Sequence, residues 1–86
     1  MQVTVIAPER SVFEGEAEAV VAPAFDGLVG ILPNHAPFMT LLGEGSLTVT
    51  QKGATKSFRV RGGFLQVVRD SVRVVAEHAE TEGEDA

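Results

Sequence analysis

Apolar residues recur at every second position through most of the chain. Val3 and Val5 alternate with Gln2 and Thr4, Leu47 and Val49 with Ser46, Thr48 and Thr50, Phe58 and Val60 with Ser57, Arg59 and Arg61, and Val72 and Val74 with Ser71 and Arg73. Successive side chains of a strand point to opposite faces, so this period predicts half-buried β-strands, and no stretch carries the 3.6-residue period of a three-turn helix. Turn residues punctuate the runs at Pro8 to Ser11, Asp26-Gly27, Pro33-Asn34, Gly43 to Gly45, Lys52-Gly53, Gly62-Gly63 and Arg69-Asp70. The pattern predicts strands near 2–7, 11–22, 28–32, 37–42, 45–51, 55–61, 63–69 and 71–77, the cadence of an antiparallel sandwich or barrel.

Two segments resist the pattern. EGEAEAVVA, Glu14 to Ala22, is rich in helix-favouring Glu and Ala yet ends in β-branched Val20 and Val21. A strand is the better reading, because Glu14, Glu16 and Glu18 then share an outer face, opposite Gly15, Ala17 and Ala19, and the charge discourages edge-to-edge association. The end of the chain, EHAETEGEDA, is acidic and lacks apolar periodicity, so fraying is expected beyond about Glu80. Residues 1–80 are expected to form one domain and 81–86 an acidic tail.

Composition narrows the function classes. At 86 residues and 44% apolar content the chain has room for a single small domain, and no apolar run reaches the roughly 20 residues of a membrane span. The N-terminus shows neither a secretory nor an organellar targeting pattern. Without cysteine there is no disulfide and no thiolate metal site, so stability must come from packing or from docking on a partner. A net charge of −5 argues against nucleic acid as a ligand. The charge is also segregated. Residues 1–51 hold six carboxylates against Arg10, residues 52–73 hold Lys52, Lys56, Arg59, Arg61, Arg69 and Arg73 against Asp70, and the remainder is acidic. Such a division either solvates the outer faces of strands or orients docking to a protein partner.

Catalytic constellations are missing. There is no nucleophile elbow, Walker loop or His-Glu-x-x-His, and His35 and His78 lie 43 positions apart. Gly43 to Ser46 reads as a turn rather than an anion cradle, since its glycines do not open a helix. Arg61-Gly62-Gly63 occurs once, between apolar strand patterns, and reads as a bulge or tight bend joining strands rather than an RNA-binding repeat. GILPNHAPFM, Gly30 to Met39, is the sharpest feature. Pro33 presets φ for a turn, Asn34 tolerates left-handed geometry, and Pro37 pushes Ala36 toward an extended conformation. The result is a stiff corner built on Gly30, Pro33, Asn34 and Pro37, with His35 near its apex and Leu32 and Phe38 leading back to the core. His35 there braces the corner through backbone carbonyls or faces a partner; a catalytic role has no second group to support it.

Five spaced motifs in one register resemble a known family. They are V-x-A-P-E from Val5, V-F-E-G from Val12, D-G-L-V-G-I-L-P-N-H-A-P from Asp26, G-G-F-L-Q-V from Gly62 and V-x-V-V-A-E from Val72. Together, over residues 2 to about 79, they closely resemble the epsilon subunit of the F-type ATP synthase. The resemblance implies an all-β domain, a β-sandwich of two antiparallel sheets, that is not catalytic and needs no cofactor. It implies a place in the central stalk, where the domain links the gamma subunit to the c-subunit ring and rotates with gamma, coupling proton flow to ATP synthesis or hydrolysis. It also implies a peripheral position on the cytoplasmic face of the bacterial inner membrane, without lipid insertion. By the same resemblance, Asp26, Gly27, Leu28 and Val29 face the c ring, and the surface around Ala7, His35 and Thr40 faces gamma. Two departures stand out. Relatives commonly continue into a helical hairpin that restrains hydrolysis, which is not expected of this sequence, and Leu28 stands where relatives often carry an acid. The alternative is a free-standing β-sandwich interaction module.

Overall fold

Eight strands follow in chain order: β1 (Gln2–Ala7), β2 (Arg10–Glu16), β3 (Ala19–Ala24), β4 (Gly27–Ile31), β5 (Phe38–Leu41), β6 (Glu44–Gln51), β7 (Ala54–Val68) and β8 (Ser71–Asp85). They come from a computed structural model that describes residues 1–34 and 36–85, so the expectations for His35 lie outside the described residues. The strands pair in the order β2-β1-β8-β7-β6-β3-β4, with β5 beside β7.

The two long strands build the sandwich. The first half of β7 pairs with β6, from Gln51↔Ala54 to Glu44↔Arg61, while its second half pairs with β5, from Leu41↔Phe64 to Phe38↔Val67. β8 accompanies β7 throughout, and its start also pairs with β1. One layer is therefore β2-β1-β8-β7-β5 and the other β8-β7-β6-β3-β4, with β7 and β8 passing from one to the other. Every pairing is antiparallel except β1 with β8, which is parallel.

Gly62 and Gly63 make that passage possible, and here the structure corrects the expected end of a strand. Arg61↔His78 and Gly63↔Ala76 stay in one register, so the strand bends without stopping. Both glycines have positive φ, +69° and +98°; a Cβ would strike the Glu77 carboxylate at the first and the Val75 carbonyl oxygen at the second. The buried positions change parity at the bend, from Phe58 and Val60 to Leu65 and Val67 along β7, and from Val72, Val74 and Ala76 to Ala79 along β8. A strand that changes layer must turn its other face to the core.

The expected single strand over 11–22 is likewise two. Between β2 and β3 the chain crosses layers: Ala17 N–H donates to Met1 O and Glu18 N–H to Thr50 O, both at 2.8 Å. Glu14, Glu16 and Glu18 are all exposed and Ala17 is buried, as the alternation required. Gly30, expected in a turn, lies within β4 opposite Val21. Leu32, expected to lead into the core, is 63% exposed, whereas Phe38 does pack against it.

The core lies between the layers. Val3, Val5, Leu65, Val67, Val72 and Val74 of one face Val20, Ile31, Leu47, Val49, Phe58 and Val60 of the other. Phe13 and Phe58 meet across the gap with ring centroids 5.6 Å apart at 54°, and Lys56 Nζ sits 5.3 Å from the Phe13 centroid. No charged or polar side chain is buried among the described residues, and the buried Met1 ammonium is paired, donating to Ala17 O at 3.0 Å and lying 3.2 Å from a Glu16 carboxylate oxygen. The acidic end stays paired with β7 as far as Asp85, with a one-residue register shift between Ser57 and Phe58. Thr81 and Glu82 are exposed there, and Ser46 Oγ donates to Glu82 at 2.7 Å.

Candidate functional site

From Ala19 to Gly43 the only acidic or basic side chains are Asp26 and His35. The fold turns this nearly uncharged stretch into a surface. β3 and β4 form a hairpin closed at Ala24↔Gly27, and Gly27 at φ +134° has open space where a side chain would sit. The turn is clipped to the neighbouring strand: Phe25 N–H donates to Leu41 O at 3.0 Å, Gly43 N–H to Pro23 O at 2.8 Å, and Ala24 bridges Leu42. Those bonds hold the tip of one layer against the edge of the other.

The side chains at this edge are large, apolar and exposed. Phe25 is 68% and Leu28 75% accessible, and Leu32, Met39 and Leu41 are each at least 60% accessible. Among the described residues only Val21 and Val68 join them as exposed large hydrophobics. Single exposed apolar residues are ordinary, but five within a 17-residue stretch are candidates for contact, Leu28 on the outer side of one layer and Met39 and Leu41 on that of the other. The resemblance singled out Leu28, Leu32 was expected to lead into the core, and nothing pointed to Phe25, Met39 and Leu41; the scarcity of charge from Ala19 to Gly43 was the signal that could have found them.

The other expected site residues are distributed unevenly. Asp26, Gly27, Leu28 and Val29 do sit together, with Val29 half-buried against the core and the rest exposed. Asn34 takes left-handed geometry at φ 66°, as the corner required, and its N–H donates to Asp70 Oδ1 at 3.3 Å. Pro33 and Pro37 are exposed. Ala7 and Thr40 are on β1 and β5 of the same layer, roughly 14 Å apart across three strand spacings. Ala7 is buried and Thr40 half-buried, so neither offers much surface itself.

The described residues contain no group of three metal-type ligands. A crevice of about 640 Å³ is lined by Met1, Glu16, Glu18, Pro33, Gln51 and Lys52, with no nucleophile paired to a base. Part of the segregated charge meets within the sheets: Arg59 reaches Glu44 at 3.7 Å on one side and stands opposite Glu80 on the other. Such exposed pairs solvate a face and add little stability.

Comparison with known proteins bears on what docks. Residues 1–82 match the family model described as ATP synthase, Delta/Epsilon chain, beta-sandwich domain. The ATP synthase epsilon chain of Caulobacter vibrioides is 47% identical over 76 residues, 88% of each chain. That of Solibacter usitatus is 42% identical over 80 residues, covering 93% of this chain but 60% of its own, and other similar relatives are likewise longer. Among solved structures, a chain of the Euglena gracilis mitochondrial ATP synthase superposes with a TM-score of 0.85 at 22% identity, over 92% of this chain and 51% of that one. A chain from the Tetrahymena thermophila central stalk and c-ring assembly gives 0.78 at 15% identity, over 92% and 64%. Sequence and fold thus agree, and the chain belongs to the ATP synthase delta/epsilon-chain family through its β-sandwich domain, a non-catalytic member of that machine.

Proposed function

We propose that this protein is a central-stalk subunit of an F-type ATP synthase, joining the gamma subunit to the c-subunit ring so that rotation driven by proton flow is coupled to ATP synthesis or hydrolysis. The observation that carries the reading is the set of exposed apolar side chains between Phe25 and Leu41, with the hairpin turn pinned to Leu41 and Gly43 by backbone bonds, on a domain of this family. Torque transmission asks for stiff contacts and no bond chemistry, and a two-layer core with short turns supplies stiffness. Asp26, Gly27, Leu28 and Val29 present the ring-facing turn, and the surface around Ala7 and Thr40 presents the gamma side, with His35 assigned there from its sequence motif alone.

No helix of the described residues is long and apolar enough to cross a membrane, which suits a peripheral position on the cytoplasmic face of a bacterial inner membrane without lipid insertion. With Leu28 at the ring-facing turn, the contact is apolar where an acid would make it polar. Reconstitution tests the reading. ATP synthase purified from cells carrying a tagged copy of this protein should contain it together with gamma and the ring, and Leu28→Asp should loosen ring-dependent coupling, read as proton pumping per ATP hydrolysed. Its absence from the purified enzyme would overturn the proposal.

A further inference from the structure

Each layer has two edges, and among the described residues all but one are blunted against further pairing. β2 carries Arg10, Glu14 and Glu16 and has a bulge where it pairs with Val5 and Ile6. β5 is only 4 residues long and follows Pro37. The far end of β8 carries exposed Glu80 and Glu82. Charge, bulges, proline and shortness are the usual devices that keep an edge strand from adding another. β4 has none of them: GLVGI holds no charge, no proline and no register shift, spans 5 residues and ends the strand order.

The register says which main-chain groups of β4 look outward. Pro23 has no N–H to give, and its carbonyl accepts from Gly43, so its main chain is turned away from β4. Leu28, directly opposite Pro23, therefore makes no ladder bond across that pair. Antiparallel pairs alternate, so Leu28 and Gly30 aim their N–H and C=O groups out of the sheet, while Gly27, Val29 and Ile31 bond to β3. Gly30 is exposed, with open space where a side chain would sit. Leu28, two residues away and so on the same face, is 75% exposed.

We infer that β4 pairs with β4 of a second copy of this chain, antiparallel about a two-fold axis at Val29. That register overlaps the whole strand, Gly27 opposite Ile31, and sets Leu28 of each copy opposite Gly30 of the other. Leu28 N–H then donates to Gly30 O and Gly30 N–H to Leu28 O, in both directions, using groups that β3 leaves free. Each Leu28 side chain lies over the bare Gly30 of the other copy, at the spacing that two-fold pairing demands. Charge permits the contact: each copy carries a net charge of −5, yet the charged side chain beside the strand, Asp26, falls opposite Leu32 of the second copy. With 5 residues a side the contact covers less than the roughly 1,200 Å² of a standard interface, so the dimer is weak, with a Kd of roughly 10 µM to 1 mM. The pairing occupies Gly27, Leu28 and Val29, so on the central-stalk reading it belongs to protein outside the assembled enzyme.

Sedimentation equilibrium of the purified chain at concentrations up to about 1 mM tests this, with each variant's fold checked by thermal melting. Wild type should show a mass that rises with concentration toward that of a dimer, and its Kd should fall as salt screens the repulsion between two acidic copies. Gly30→Pro removes only an outward N–H, which edge strands tolerate, and should melt like wild type yet stay monomeric. Leu28→Lys brings a charge into the pairing and should raise Kd at least about tenfold. Val29→Cys, in a chain without other cysteines, faces itself across the two-fold at a non-hydrogen-bonded position, where Cα atoms lie about 4.5 Å apart and within disulfide range. Mild oxidation should link it at least about tenfold faster than Thr48→Cys on β6, which meets its counterpart only by chance collision. A wild type that stays monomeric at about 1 mM would leave this edge to a strand from another protein and overturn the inference. Folded Gly30→Pro and Leu28→Lys that both dimerise like wild type, or Val29→Cys that links no faster than the control, would overturn it as well. None of these results touches the central-stalk reading, which reconstitution tests separately.

Discussion

Gly63 and Gly30 are the same residue type in strands of the same domain, yet their backbones ask for opposite things. Gly63 holds φ +98° with the Val75 carbonyl where a Cβ would be. Gly30 has no positive φ and open space around it. Gly63→Ala should therefore cost at least about 2 kcal/mol, combining left-handed strain with a backbone collision. Gly30→Ala should be neutral or stabilise by about 0.5 kcal/mol through the unfolded chain. Urea midpoints for the two variants test the contrast, and equal midpoints would mean that the bend tolerates a side chain. The sequence marked both glycines as turn residues; only φ and the facing carbonyl separate them.

At the scale of elements, the hairpin of β7 and β8 joins the two layers. Its stability is uneven along its length. Near the turn and through Val72, Val74 and Leu65 every second side chain is fully buried, whereas Thr81 and Glu82 rest on the outside with little apolar area beneath them. Burial of a Val or Leu side chain is worth roughly 1.5–3 kcal/mol, while an exposed ladder bond nets much less. Hydrogen exchange should accordingly find the amides of β8 up to Ala76 opening only with the whole domain, and those beyond Glu80 exchanging far faster by local opening. Uniform protection along β8 would contradict this. Expecting a strand end at Gly62-Gly63 was reasonable from sequence, because adjacent glycines usually mark a turn. The ladder continues because the partner strand bends with them, and a partner's path is not written in local sequence.

For the whole molecule, the exposed Phe25, Leu28 and Leu41 leave apolar area in water unless something covers them. The absence of cysteine gives a clean probe: single-cysteine variants at Phe25, Leu28, Leu41 and, as a control, Thr48 can be labelled with a maleimide. All four should react quickly in the isolated protein, and within assembled ATP synthase the first three should be protected while the control stays reactive. Labelling of Leu28 and Leu41 at full rate in the assembly would argue that the apolar edge is not an interface.

Alternation of apolar and polar residues determined that this chain is a β protein, where most strands lie and which residues fill the core, because the strand period fixes the face of each side chain once the register is set. The ordered motifs determined the family. Tertiary structure decided how β7 and β8 pass between layers, why the buried parity switches along each, and that Phe25, Leu28, Leu32, Met39 and Leu41 stay exposed. It also decided that β4 is an edge strand. These depend on pairing between residues far apart in the chain, set by which layer each strand joins, and no local pattern carries that information.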